Sequence, residues 1–410
     1  MRNDFDIVIA GGGLVGGSLA IALAAASCRV ALVEAVPPES EHQPSFDDRT
    51  IALSRGSYRI LDSLGIWPLI AKDVWPICKI HVSEQQRFGT AVIDAAEQGI
   101  PELGFVIRSR QLGAAIWSRL TDLPSVETFC PARVVASDIG EGTRHVTLEA
   151  EPAQAELSAR LLVVADGARS ALRGELGIGS SERNYNQVAV VANIQVADQY
   201  AGNVAYERFT PQGPLAILPG KAGLYTVVLA RTSESAPTVM AMGDDELLGL
   251  VQSAFGYRLG RFSRIGKRHA YPLYLVKTDA VAADRAVIIG NAAHGLHPVA
   301  AQGFNLGLRD AASLAELLVD GYRLDDGHFD PGSSNTLGAY SDWRCADQRK
   351  VVDFTDGLIR LFGLPGSSVS IGRGLGLAVF DTLPGAKQEL ARQTMGLAGR
   401  LSRLARGKSL

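Results

Sequence analysis

The sequence predicts an α/β fold: a Rossmann-type dinucleotide-binding layer assembled from discontinuous pieces, an inserted and mainly antiparallel β-sheet, and a helical C-terminus. Three observations predict it. A glycine-rich turn joins an apolar strand to an Ala/Leu-rich helix in "DIVIAGGGLVGGSLAIALAAASCRVALVE". Two later strands break at small polar turns, in "ARLLVVADGARSALR" and "DRAVIIGNAAHGLHP". Between these, "NVAYERFTPQGPLAILPGKAGLYTVVLAR" carries Tyr, Phe, Val and Thr runs punctuated by Pro-Gln-Gly and Pro-Gly-Lys, the composition of antiparallel strands and hairpins.

The first unit is a strand at Asp6 to Ala10, a helix from Leu14 to Ala26 and a second strand ending at Glu34, a β-α-β unit of about thirty residues. Gly11, Gly13 and Gly16 give G-x-G-x-x-G between strand and helix. Gly11 permits the tight turn, Gly13 lets a pyrophosphate approach the backbone, and Gly16 lets helix and strand pack closely. The helix N-terminus then offers free N–H groups to the phosphates. Glu34 lies eighteen residues past Gly16, where an acid accepts from a ribose 2′-OH and repels a 2′-phosphate. The tightly held ligand is therefore FAD or NAD, not NADP. "GRGLGL" from Gly372 lacks the spacing and the preceding strand of a second copy.

Ile7 to Cys28 contains no charge over 22 residues, the length of a membrane span. Glycines at 11, 12, 13, 16 and 17 and the lack of a basic leading region argue instead for a buried unit, with no signal peptide or transmembrane helix. Four scattered cysteines without a CxxC pair fit a reducing cytoplasm and neither a zinc site nor a disulfide framework. At 410 residues the chain fits about two to three domains, and 47% hydrophobic with 20% charged residues is ordinary globular composition. The expected division is 1–76, 100–182 and 270–350 for the nucleotide layer, 77–99 and 183–269 for the sheet domain, and 351–410 for a helical C-terminal segment. No nucleic-acid partner is expected.

The net charge of −3 conceals an asymmetry: from Thr355 onward eight Lys or Arg face three acids. Within "MGLAGRLSRLARGKSL", Leu397, Leu401 and Leu404 stand at helical spacing between basic residues. Two readings follow, a helix lying on an anionic membrane surface, or a frayed helix whose apolar side packs on the body.

"DDRTIALSRGS", "VVADGARSALR" and above all "GNAAHGLHPVAAQGFNLGLRD" resemble, in order, the signatures of FAD-dependent aromatic hydroxylases of the p-hydroxybenzoate hydroxylase type. Within that family the chain is most similar to the ubiquinone-biosynthesis polyprenylphenol hydroxylases acting on 2-polyprenyl-6-methoxyphenol-like rings. The resemblance spans essentially the whole chain. It implies a Rossmann-type FAD-binding domain with a substrate-binding sheet domain, FAD as resident cofactor, and NADPH or NADH as a transient co-substrate. It further implies O₂, and hydroxylation of a polyprenylated phenol through a flavin C4a-hydroperoxide.

For the residues, it implies FAD contacts at Gly11, Gly13, Leu14, Val15, Gly16 and Glu34, and at Arg49. A flavin-contacting position falls at Arg110, with Arg108 competing for it. Asp166 and Gly167 match the DG motif near FAD and the pyridine nucleotide. Gly290 stands at the second phosphate and ribityl contact, followed by Asn291 where the wider family has Asp. Gln302 to Gly307 open a helix whose small residues admit an isoalloxazine ring, giving contacts at Gly303, Phe304 and Asn305. Pro298 would lie against the ring near the reacting carbon and is the one catalytic candidate; no base for the phenol is named.

His294 and His297 are three apart but have no third ligand nearby, so no metal site is expected. Tyr340, Arg344 and Asp347 match a Y-x-x-x-R-x-x-D pattern read as a structural ion pair. The expected partners are the phenol, a ubiquinone-biosynthesis protein complex, and a membrane surface met through the C-terminal tail. Two other readings stay open, an FAD-dependent dehydrogenase or reductase and a non-catalytic FAD-binding scaffold.

Overall fold

The computed structural model describes every residue except 1–2, 41–42, 44–48, 151–153, 198–201, 326–327 and 365. Strand β1 (Asn3–Ala10) is buried without interruption from Ile7 to Ala10, so it needs cover on both faces, which parallel crossovers supply. It pairs in parallel with Ala155–Val164 on one side and with β2 (Val30–Val33) on the other. Ala286–Ile288 lies beyond the first and Val126–Phe129 beyond the second, again in parallel. The layer is thus drawn from widely separated segments, as expected. An antiparallel hairpin, Ala132–Ile139 with Arg144–Ala150, extends it beside Ala155–Val164 and was not anticipated.

Helix α1 (Leu14–Leu23) has eight of its ten residues buried, which explains the charge-free opening: an all-apolar helix belongs in a core. Among the described residues no helix is long and apolar enough to cross a membrane.

The inserted sheet has eight strands, in the order His294–Gly295, Phe262–Thr278, Ser180–Val196, Leu224–Thr232, Gly213–Pro219, Val204–Thr210, Lys79–Glu84 and Thr90–Asp94. All its pairs are antiparallel except Val204–Thr210 against Lys79–Glu84. Its two longest strands start at Ser180 and end at Thr278, so they cross the expected boundaries at 183 and 269. Helix Asp244–Phe255 seals one face, burying Leu247, Val251 and Phe255 against Val190, Ile217 and Leu229, with three acids favouring its N-terminal turn. A small third sheet, Thr50–Ser54, Gly104–Arg108 and Trp75–Ile77, joins the two large ones and was also not anticipated.

The C-terminal region corrects two expectations. Helix Ser334–Gly363, capped by Ser333 Oγ accepting from the Thr336 N–H, runs unbroken through the expected boundary at 350/351. Helices Ser367–Asp381, called here the cover helix, and Pro384–Thr394 follow. The last residues form no helix carrying Leu397, Leu401 and Leu404 on one face. Gly396 and Gly399, both at positive φ, turn the chain, and only Leu404–Arg406 is a short 3₁₀ turn. Leu404 and Ala405 are buried in the main core. Arg403 is bound to Glu316 and Asp320, and Arg400 lies over the Trp343 ring at 3.8 Å while its carbonyl accepts the indole N–H. The tail is packed on the body, the second of the two readings, with Leu397 and Leu401 partly buried against the cores.

Candidate functional site

The site is built where β1, Ala155–Val164 and Ala286–Ile288 end. Gly11 has φ +109°, and a Cβ there would lie 2.5 Å from the Ala165 carbonyl oxygen, so only glycine fits beneath the Asp166 turn. A Cβ on Gly16 would lie 2.0 Å from the Gly11 carbonyl oxygen, which is the close helix-to-turn packing expected of it. Gly13 is the N-cap of α1, with no side-chain cap and no acid in the first turn, so the helix's first N–H groups stay available. Leu14 and Val15 form that first turn.

Glu34 is buried at the end of β2. Its carboxylate accepts from the Gly12 N–H at 2.7 Å, the Val36 N–H at 3.0 Å and Gln43 Nε2 at 3.2 Å, tying the glycine turn to the strand end. Trp117 closes the other side of the turn, its indole N–H donating to the Gly12 carbonyl at 3.1 Å.

Asp166 is exposed and Gly167, at φ +94°, has open space where a side chain would be. Gly290 has φ +62°, and a Cβ there would press on Val15 at 3.2 Å. A Cβ on Gly307 would meet both Gly290 and Val15 within about 3 Å, at 2.9 and 3.0 Å. Residues 15, 290 and 307 therefore converge at one point. Asn291 is exposed beside it, with its Oδ1 4.0 Å from where a Gly303 Cβ would stand.

Helix Gln302–Leu324, the site helix, starts without a side-chain cap or an acid in its first turn. The approach from Pro298 is unusual: Ala300 and Ala301 both lie in the left-handed region, at φ +59° and +49°. Two such non-glycine residues cost about 1–3 kcal/mol each and persist only where neighbours over-determine them. Those neighbours are Gln302, Asn305 and His297. Gln302 Nε2 donates to the Ala300 carbonyl at 3.0 Å, and Asn305 Nδ2 donates to the Ala301 carbonyl at 2.7 Å. His297 Nδ1 accepts the Val299 N–H at 3.1 Å, and its Nε2 meets Gln187 Oε1 at 3.2 Å. Burial pushes the His297 imidazole down to about 4, so it is neutral and serves as a loop brace.

The Asn305 side chain is engaged within the protein. Its Oδ1 accepts from the Ser54 N–H and Ser57 Oγ, and its Nδ2 also donates to the Ala52 carbonyl. Both lone pairs and both protons are spent on protein, so its side chain clamps the loop at the edge of the cavity described below. Gly303 and Phe304 keep partly open surface at the helix start. Arg49 stacks its guanidinium on Tyr271 at 4.6 Å, while Arg108 and Arg110 are exposed at the start of helix Ser109–Thr121, adjacent to it through the Ser109 N–H to Arg49 carbonyl bond. Asp47 and Asp48 of the "DDR" motif lie outside the described residues.

Beneath the site, His294 Nε2 meets Asp310 at 2.7 Å, and Asp310 also accepts from Arg344 Nε at 2.8 Å and Gln348 Nε2 at 3.0 Å. Burial alone would raise the Asp310 pKa, but Arg344 and His294 hold it well below the ordinary aspartate range. Arg344 and Asp347 form the expected ion pair at 2.8 Å; its extension to fully buried Asp310 was not foreseen. Among the described residues no group of three His, Cys, Asp or Glu is arranged around a metal position.

Above the site helix start lies an apolar cavity of about 590 Å³. Val299 to Gln302 form its floor, Val82, Ala91 and Ile93 of the sheet one wall, and Phe354, Phe362, Leu377 and Phe380 its far end. Glu207 is its single acidic lining residue and was missed from the sequence, where it was one charge within a hairpin strand. Two uncapped helix N-termini, a glycine cradle and open space at Gly167 and Gly303 fit a dinucleotide carrying a planar ring, and the cavity fits a largely apolar second ligand.

Residues 4–355 match the family described as the FAD binding domain. The chain is 34% identical to the ubiquinone hydroxylase UbiL of Rhodospirillum rubrum, over 99% of this chain and 93% of that protein. It is 30% identical to the 3-demethoxyubiquinol 3-hydroxylase of Escherichia coli, over 77% of this chain and 80% of that one. The fold is similar to that of p-nitrophenol 4-monooxygenase PnpA from Pseudomonas putida DLL-E4, with a TM-score of 0.79 and 21% identity, covering 98% of this chain and 100% of that one.

Proposed function

Because the chain belongs to the FAD binding domain family, we propose that it is an FAD-dependent monooxygenase that hydroxylates the aromatic ring of a polyprenylated phenol in ubiquinone biosynthesis, using NADPH or NADH and O₂. The observation that carries this reading is the shape of the cavity: polar groups at the floor beside the site helix, and mostly apolar side chains toward Phe354 and Phe380, where the one charged group, Arg373, is paired with Glu84, as a phenol with a prenyl tail requires. FAD, when bound, supplies the redox chemistry that activates oxygen.

The chain's own residues do the rest. The Gly11 to Gly16 turn with Leu14 and Val15 would hold the pyrophosphate, and Glu34 the ribose. Asp166, Gly167, Gly290, Asn291 and the arginines at 49 and 110 would line the remainder. The start of the site helix, with Gly303 and Phe304, would receive the ring, and Pro298 with the Ala300–Ala301 turn would set the phenol's distance from it. The apolar walls exclude water from the reacting oxygen. The test is purified protein supplied with FAD, NAD(P)H and a short-chain 2-prenyl-6-methoxyphenol. O₂-dependent NAD(P)H consumption matched by hydroxylated product is expected. NAD(P)H oxidation without product indicates a reductase, and no flavin reduction even with the phenol indicates a scaffold.

Membrane contact belongs to a different surface from the one the sequence pointed to. Ile371, Leu375 and Val379, four apart on the cover helix, are 49%, 53% and 55% exposed, while Leu377 and Phe380 of the same helix line the cavity. From Leu361 to Phe380 the sole charge is Arg373, whose guanidinium is bound to Glu84 and to the Leu361 and Leu364 carbonyls. Exposed Arg360, paired with Asp356 at 2.9 Å, and exposed Arg392 flank the stretch in sequence, with Asp381 directly after it. A helix apolar on both sides, one facing a lipid-tail cavity and one facing outward between basic residues, suits the interface of an anionic bilayer. Leu375→Asp is expected to abolish co-flotation with vesicles containing phosphatidylglycerol and leave FAD content unchanged. Unchanged flotation would assign this face to a protein of the biosynthetic complex instead.

A further inference from the structure

We infer that Glu207 is a catalytic residue: its carboxylate accepts the hydrogen bond of the substrate's phenol hydroxyl and takes its proton as the ring is attacked. This rests on the proposed reading of the cavity as the phenol's site.

Glu207 lies on strand Val204–Thr210, between Ala216 and Val82 of the neighbouring strands, and lines the cavity together with Ala300 of the strained turn. Of the other polar groups there, Gln302 keeps a buried Oε1 without a partner, but a neutral amide is no proton acceptor near working pH, and Thr394 Oγ1 donates to the Leu390 and Ala391 carbonyls. Asn305 is saturated within the protein, Ser54 serves as a helix cap, and Arg373 is bound to Glu84 at 2.6 Å. Glu207 is the one carboxylate lining the cavity, and among the described residues no Lys or Arg pairs with it. It keeps some surface open toward the cavity, yet protein rather than bulk water surrounds it. Burial lifts its carboxyl to about 7, opposed only by the Ala300 N–H. An unpaired carboxylate in an apolar cavity is costly to the fold, and a group so placed near working pH is what proton abstraction needs.

In the step, the phenol O–H bond breaks, the proton passes to a Glu207 oxygen, and the bonding pair stays on the phenol oxygen, where it enriches the ring carbons. One oxygen atom of O₂ bonds to the attacked ring carbon. As the ring recovers its aromaticity, the C–H bond of that carbon breaks, its electron pair returns to the ring and its proton leaves with the second oxygen atom as water. The proton held by Glu207 returns to the phenol oxygen and the carboxylate is restored. No net charge or electron is left on Glu207.

The test compares wild type, Glu207→Gln and Glu207→Asp, each checked for FAD content, with 2-prenyl-6-methoxyphenol as probe. Wild-type kcat/KM should rise with pH through about 7, the value burial gives Glu207. Glu207→Gln should lose that limb and about 10²-fold or more in kcat, and Glu207→Asp should keep the limb at reduced rate. A second readout needs no turnover. Because the folded pKa lies above the unfolded one, Glu207 destabilises the protein progressively from about pH 4.5 to 7. The Gln variant should therefore melt higher than wild type at pH 8, with the gap closing toward pH 5. A Gln variant retaining both the limb and kcat overturns the proposal, as does an unchanged melting difference across pH. Failure of the wild type to hydroxylate the probe would instead defeat the functional reading, leaving the melting experiment to report on the carboxyl alone.

Discussion

Gly303→Leu is expected to give a folded but colourless protein. At most glycines of the site a side chain would strike the chain itself, as at Gly11 and Gly16, so loss of flavin there could follow from a broken turn. Gly303 differs. Its nearest neighbour along the Cβ direction is Asn291 Oδ1 at 4.0 Å, so a leucine would extend into the space proposed for the ring and meet no backbone. In the first turn of a helix the substitution favours the fold by up to about 1 kcal/mol. The apo-protein should keep or slightly raise its melting temperature, while FAD affinity falls at least about 100-fold, the order of 3 kcal/mol. Flavin absorbance of the purified protein and titration of the apo-protein with FAD check this. A yellow variant with wild-type affinity would place the ring elsewhere.

Asp310→Asn should cause the largest loss of stability of any single change near the site. Asp310 is fully buried and faces Arg344, His294 and Gln348 at once. Removing its charge leaves Arg344 buried with only Asp347 to oppose it, and breaking a buried pair from one side costs about 3–5 kcal/mol. The pH dependence has a definite sign. The folded pKa lies below the ordinary 3.8, so the carboxylate's stabilisation is present in full above that value and is lost as pH falls. Urea midpoints should thus differ most at neutral pH and converge in acid. Flavin retention should fall as well, since His294 joins this cluster to the turn that follows Gly290.

The nucleotide layer was legible because its chemistry is local. Each strand that matters ends in a turn whose residues are dictated by the backbone, Gly11, Asp166-Gly167 and Gly290, and Glu34 sits at a fixed distance from the first. What escaped was set by contacts across the chain. The bonds of the Asn305 side chain could not be read ahead, because its partners, Ser54, Ser57 and the Ala52 carbonyl, lie some 250 positions upstream and carry no signature of their own. Glu207 is one acid in a hairpin strand until the Ala300 turn folds against it. The tail misled for a different reason. Leu397, Leu401 and Leu404 satisfy helical spacing, yet spacing cannot register that Gly396 and Gly399 turn the backbone through positive φ, nor that Trp343 and Glu316 wait to receive the arginines.

The convergence of Val15, Gly290 and Gly307 has a consequence for how the enzyme comes into being. Its first glycine turn leaves the ribosome early, but β1 must wait for Ala155–Val164 and Ala286–Ile288 to complete the layer that supports it. At about 5–20 residues per second, some 15–60 s separate Gly16 from Gly307 during synthesis. Val30–Val33 is made soon after β1, Ala155–Val164 completes the pairing of β1 midway, and only the outer strand Ala286–Ile288 and the Gly290 and Gly307 contacts to Val15 come late. The cradle at Val15, Gly290 and Gly307 is therefore complete only after about three quarters of the chain has been made.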